Sequence, residues 1–192
     1  SKGKKAWLEK TPANILYLDS IFAGLPRARI VAIYRDGQDV VYSQMDRQCK
    51  GKTPDSFVCT EAERREWVKG ESQKWEANNA AGLKYLGDER ILFLKYEELV
   101  RSPFLGIHAI CQHLKLPFLP KEMLSFHEQP IKGKPKVNSK HSRGAMHVQN
   151  RASQISKPLA YIKGKGGLLS TEERIQFSQL AGKMYKRLGY GS

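Results

Sequence analysis

Two short apolar runs stand out along the chain. Arg29-Ile30-Val31-Ala32-Ile33-Tyr34 and Arg90-Ile91-Leu92-Phe93-Leu94-Lys95 lack the alternation of a half-exposed strand, and their length suits strands buried on both faces. Helical signals surround them. Thr11-Pro12 places a capping residue before a proline in the first turn, predicting a helix to about Ala23. Arg35-Asp36-Gly37 ends the first strand and turns into a helix from about Gln38 to Arg47. Residues 48–60 predict a loop, and Thr60-Glu61-Ala62-Glu63 is a capping box that opens a long helix to about Tyr85.

After the second strand, Ser102-Pro103 opens a helix to about Leu114. Residues 127–167 are rich in Lys, Gly, Ser and Asn and predict a long loop, one that a ligand could order. Ser170-Thr171-Glu172-Glu173 is a second capping box, starting a final helix that ends at Gly189. Buried strands alternating with helices predict an α/β fold with a parallel sheet flanked by helices. Two or three strands are few for such a sheet, so part of it is expected to lie outside this chain.

Composition sharpens this picture. The 192 residues are the size of one domain, and 40% are apolar, too many for a disordered polymer. No apolar run approaches the roughly 18 residues of a membrane-spanning helix, so no membrane segment is expected. The opening Ser1-Lys2-Gly3-Lys4-Lys5 has no apolar stretch behind it to act as a secretion signal. Cys49, Cys59 and Cys111 form no C-x-x-C pair, have no histidine at zinc-ligand spacing, and do not amount to a disulfide scaffold. With no N-x-S/T sequon either, they point weakly to a reducing compartment, the cytoplasm ahead of the Golgi lumen. No metal is expected.

Charge is unevenly spread. The chain carries 33 Lys+Arg against 19 Asp+Glu, a net of +14, of which +11 falls in residues 131–192. Such asymmetry suits a polyanionic partner: nucleic acid, a phosphorylated cofactor or an acidic substrate. It suits a merely basic, soluble surface equally well.

Ligands of open α/β sheets bind outside the carboxyl ends of the strands. Arg35 stands at that end of the first strand. Ser43 and Arg47 share a face of the helix that follows, so two guanidinium groups and a hydroxyl can converge on a phosphate. Tyr96 follows the second strand, where its ring can stack on a base. Each also has a plainer use: Arg35 can pair with Asp39, Ser43 can be an ordinary helix residue, and Tyr96 can belong to the core. No Walker A sequence occurs, and Gly164-Lys165-Gly166-Gly167 follows no apolar strand.

Together these residues resemble a known family. Glu9-Lys10-Thr11-Pro12, then Pro26-Arg27-Ala28-Arg29 through Gly37, then Ser43, are similar to the central part of PAPS-dependent sulfotransferases. The R-D-G…S…R spacing resembles the protein-tyrosine sulfotransferase branch most closely. Leu94-Lys95-Tyr96-Glu97-Glu98-Leu99-Val100 with Pro103, Ser139-Lys140…Arg143, Lys157-Pro158 and Leu188-Gly189-Tyr190 are similar to later parts of that family, in order.

The resemblance implies a P-loop NTPase-like sulfotransferase fold. The whole chain, 1–192, would be the C-terminal portion of a single domain whose N-terminal part is missing here. It implies PAPS (3′-phosphoadenosine 5′-phosphosulfate) as sulfuryl donor and PAP as product. Arg35, Ser43 and Arg47 match positions that hold the 3′-phosphate, Tyr96 the position beside adenine, and Lys157 a cofactor lysine of the C-terminal loop. Ser139 and Arg143 match that loop more loosely. Lys10 matches the lysine that stabilises the transition state, 25 residues before the arginine. The general base and the 5′-phosphosulfate loop are expected upstream, so these residues alone are expected not to turn over. The acceptor would bear a hydroxyl, on a protein tyrosine, a carbohydrate or a small molecule. An acidic peptide or glycan is favoured, and nucleic acid is not expected. The alternatives are a non-catalytic binder of RNA or sulfated glycan, and a kinase-like nucleotide protein, which would have no use for a 3′-phosphate clamp.

Overall fold

The computed structural model describes residues 6–49, 58–128 and 164–191. The chain forms two units. The first comprises Ser1–Phe93 and Lys163–Ser192, and the second Leu94–Ile162.

The first unit begins with a 3-10 helix, Pro12–Tyr17, that runs into α1, Leu18–Gly24. Pro12 holds the expected place, but the Thr11 side chain caps no helix N–H and donates instead to Glu9 Oε1 at 2.5 Å. Strand β1, Ile30–Tyr34, is followed by α2, Gly37–Cys49, and by α3, Glu61–Leu83. Strand β2, Ile91–Lys95, pairs with β1 in a two-stranded parallel sheet, and the Ile30 N–H donates to the Arg90 carbonyl at 2.8 Å.

Burial of both strand faces does not hold for β1. Ile30 and Ala32 pack with Leu18, Phe22 and Ile91, while Ile33 on the opposite face is 52% exposed. The Arg90 guanidinium lies 3.7 Å over the Phe22 ring and pairs with Asp88, closing the turn into β2.

A second, larger core joins α2, α3 and the last helix of the chain. That helix runs Thr171–Arg187, after a 3-10 turn at Gly166–Leu168. Val41, Met45, Val68 and Phe177 are completely buried there, with Trp75 against Phe177. Both capping boxes form as the sequence predicts, with Thr60 and Ser170 each exchanging bonds with the glutamate three residues on. The last helix ends in a Schellman turn. Tyr190 N–H donates to the Tyr185 carbonyl, Gly189 N–H donates to the Lys186 carbonyl, and Gly189 takes φ 75°.

A Cys49–Cys59 disulfide joins the end of α2 to the approach of α3, with Cα atoms 4.9 Å apart. Residue count alone does not reveal it, because one bridge needs only two chain segments brought together by packing. Cys111 is a buried free thiol.

In the second unit, α4 (Tyr96–Arg101) follows β2 directly and α5 (Pro103–Leu114) follows α4. Ser102 caps α5 by position only, without a side-chain bond. A short α6, Pro120–Leu124, was not evident in the sequence. Phe118 stacks edge-on against Phe104 and His108. With these helices assigned, the last helix is α7. Among the described residues no helix is long and apolar enough to cross a membrane. Most of the loop expected over 127–167 lies outside the described residues, and its two described ends are 3-10 turns at Phe126–Glu128 and Gly166–Leu168.

Candidate functional site

The turn from β1 to α2 is held from every side. Asp36 caps α2, its Oδ1 accepting the N–H groups of Gln38 at 2.8 Å and Asp39 at 3.1 Å. Its other oxygen accepts the Tyr185 hydroxyl of α7 at 2.8 Å. Trp75 of α3 donates its indole N–H to the Arg35 carbonyl at 3.1 Å. Gly37 is where the aromatic pair reaches the backbone: a Cβ there would stand 2.6 Å from Phe177 Cζ and 2.9 Å from Trp75 Cε2. The R-D-G triplet therefore has three structural reasons: a carbonyl to anchor, a cap to supply and a ring to admit.

This frame presents Arg35 at the carboxyl end of β1. Its side chain is 35% exposed, and Nη2 donates to Asp39 Oδ2 at 3.1 Å. The plainer use foreseen for Arg35 is thus real, and it coexists with an approach from solvent. Ser43, half-buried, and Arg47, exposed in the last turn, follow on α2 at spacings of four, in line with Asp39. Beside them Tyr42 is buried in the core, and burial followed by the Asp46 charge pushes its phenol above the ordinary value.

The other predicted positions fall elsewhere. Lys10 is exposed on the irregular segment before the first 3-10 turn and makes no ion pair among the described residues. Tyr96 is half-buried and opens α4 in the second unit. Ser139, Arg143 and Lys157 lie outside the described residues. Among the described residues no group of three His, Cys, Asp or Glu could hold a metal.

Asp39 also shapes the site beyond its pairing with Arg35. Asp39 Oδ1 accepts the Gly166 N–H at 2.7 Å, tying the Gly-rich segment to α2. Asp39 follows Arg35 by four residues across the turn from β1 into α2, close enough for their pairing to be legible in the sequence. Its bond to a residue 127 positions away is not.

A strand end bearing a partly exposed arginine, followed by a helix carrying a hydroxyl and a second guanidinium, is equipped to bind an anion. The family model described as "Sulfotransferase family" matches residues 1–120, which include this whole row. The chain belongs to the sulfotransferase family. A sulfotransferase domain from the curacin biosynthetic pathway has a similar fold. It is 17% identical, with a TM-score of 0.50 over 95% of this chain and 62% of that domain. The chain therefore spans less than two thirds of that sulfotransferase. No curated protein matches it. Neither similarity singles out the protein-tyrosine branch.

Proposed function

We propose that the chain is the 3′-phosphate-binding portion of an enzyme that transfers the sulfuryl group of PAPS to an acceptor hydroxyl. Sulfotransferases of this family generally use PAPS. The observation that carries the reading is the placement of Arg35, 35% exposed, at the carboxyl end of β1, with Ser43 and Arg47 following four residues apart on α2. These residues fit a nucleotide phosphate: Arg35 supplies forked donors from the strand end, and Ser43 and Arg47 add a hydroxyl and a second fork on a helix whose first turn is already capped by Asp36.

On this reading Arg35, Ser43 and Arg47 hold the 3′-phosphate, and the resemblance assigns Tyr96 to the adenine and Ser139, Arg143 and Lys157 to the cofactor. The donor supplies an activated sulfuryl group for in-line displacement, in which charge grows on the leaving oxygens. Lys10 contributes a positive charge to stabilise them. The base that takes the acceptor proton and the loop for the 5′-phosphosulfate are assigned to residues other than these 192. That assignment is supported by the lack of any Walker A sequence and by the 62% coverage of the structural neighbour. Residues 131–165 carry nine basic and no acidic side chains, which favours an acidic acceptor such as an acidic peptide or glycan. The Cys49–Cys59 bridge weighs towards an oxidising compartment rather than the reducing one suggested by the cysteine count.

Calorimetric titration with PAP, with 5′-ADP as control, tests the donor site. The chain is expected to prefer PAP, and Arg35→Ala to reduce that preference by about tenfold or more, the worth of a charge-assisted hydrogen bond. Equal, salt-sensitive binding of both nucleotides would instead identify a general polyanion binder.

A further inference from the structure

A carboxylate in the middle of an anion-binding row needs an explanation. Asp39 stands four residues after Arg35 and four before Ser43, and its side chain is only 11% exposed. Placed there it opposes a bound phosphate, unless its charge is committed elsewhere. Both of its oxygens are used. Oδ2 accepts from Arg35 Nη2 at 3.1 Å, and Oδ1 accepts the Gly166 N–H at 2.7 Å. Its own backbone N–H is held by Asp36.

The Gly-rich segment is shaped to this carboxylate. A Cβ on Gly164 would fall well inside contact distance of both Asp39 oxygens. One on Gly166 would come within 2.7 Å of Gln38 Cβ and 3.0 Å of the Asp39 nitrogen. Glycine at these two positions lets the backbone lie directly on the first turn of α2.

We propose that Asp39 is a positioning residue for the 3′-phosphate site, orienting Arg35 through one oxygen while the Gly164–Gly166 backbone fixes the other. The aim of Arg35 then depends on a segment far away in sequence that need not touch the ligand. The inference rests on the 3′-phosphate reading above and adds to it a residue and a backbone anchor.

Two variants of the full chain separate the roles. Asp39→Asn keeps an oxygen for Gly166 but loses the carboxylate that holds Arg35, and Gly164→Ala pushes the segment off Asp39. Each is titrated with PAP and with 5′-ADP, alongside thermal melting and hydrogen exchange of the Gly166 amide. The expected result is a PAP preference about tenfold lower in both variants. Gly166 protection should persist in Asp39→Asn and fall in Gly164→Ala. An unchanged PAP preference in Asp39→Asn would overturn the inference while leaving the donor site standing. So would equal weakening of both nucleotides in step with the melting temperature, or tighter binding of both. Wild-type chain without any PAP preference would overturn the donor reading itself, and the inference with it.

Discussion

Asp88 and Arg90 show how much a two-residue separation can do. Arg90 donates from its backbone, Nε and Nη2 to the Asp88 carboxylate, at 2.9, 3.0 and 2.6 Å. These bonds, the side-chain ones foremost, lower the Asp88 pKa to about 2. A carboxylate depressed on folding stabilises the native state fully above its unfolded pKa near 4 and loses that contribution as pH falls through about 2. Urea unfolding of wild type and Asp88→Asn should therefore give a constant stability gap above about pH 4 that closes towards pH 2. A gap independent of pH would show that the carboxylate charge is not what matters. Among site residues, Arg35 and its pairing with Asp39 were legible because only four residues and one turn from strand to helix separate them. Gly37 was legible only as a turn, since the Phe177 and Trp75 rings that require it come from two later helices.

At the scale of elements, the two capping boxes look alike in sequence and differ in consequence. Glu63 is exposed and held below its ordinary pKa by the Thr60 backbone and hydroxyl. Glu173 is buried, and besides capping α7 it takes a two-pronged ion pair from Arg64 of α3, at 3.0 and 3.1 Å. Thr60→Ala should cost about 1 kcal/mol, the usual worth of a cap. Glu173→Ala should cost about 3 kcal/mol or more, because it also removes both charge-assisted bonds that the largely buried Arg64 makes to it. Denaturant unfolding of the two variants checks the ranking, and comparable losses would mean that the Arg64 pair contributes little. Strand and helix positions were legible from period and caps. The first 3-10 turn, α4 and α6 were not, since a few residues offer too little periodicity to read.

For the whole molecule, the disulfide decides how far α2 and α3 can part when the chain unfolds. Cys49 and Cys59 are ten residues apart, and closing a loop of that size stabilises by roughly 2–3 kcal/mol on chain-entropy grounds. Melting with and without a thiol reductant, repeated on Cys59→Ser, should show a lower transition for the reduced protein and for the variant. Equal melting in both redox states would mean that core packing alone holds the ends together. The larger core supports that packing through Trp75, Phe177 and Tyr185, whose rings meet at centroid distances of 5.2 to 6.1 Å.

The same three rings mark where sequence reasoning stops. Local rules determined the order of the main strands and helices, both capping boxes, the glycine that ends α7, and the shared face of Ser43 and Arg47 on α2, because each depends on neighbours within a turn or two. The sequence also carried the family, through motifs kept in order. Tertiary structure alone decided that Tyr185 closes on Asp36, that Gly166 reaches Asp39, that Arg64 finds Glu173, and that one face of β1 leaves Ile33 exposed. These contacts join residues more than a hundred positions apart, or reflect which face a neighbour covers. No periodicity records them, because their free energy exists only once the helices have packed.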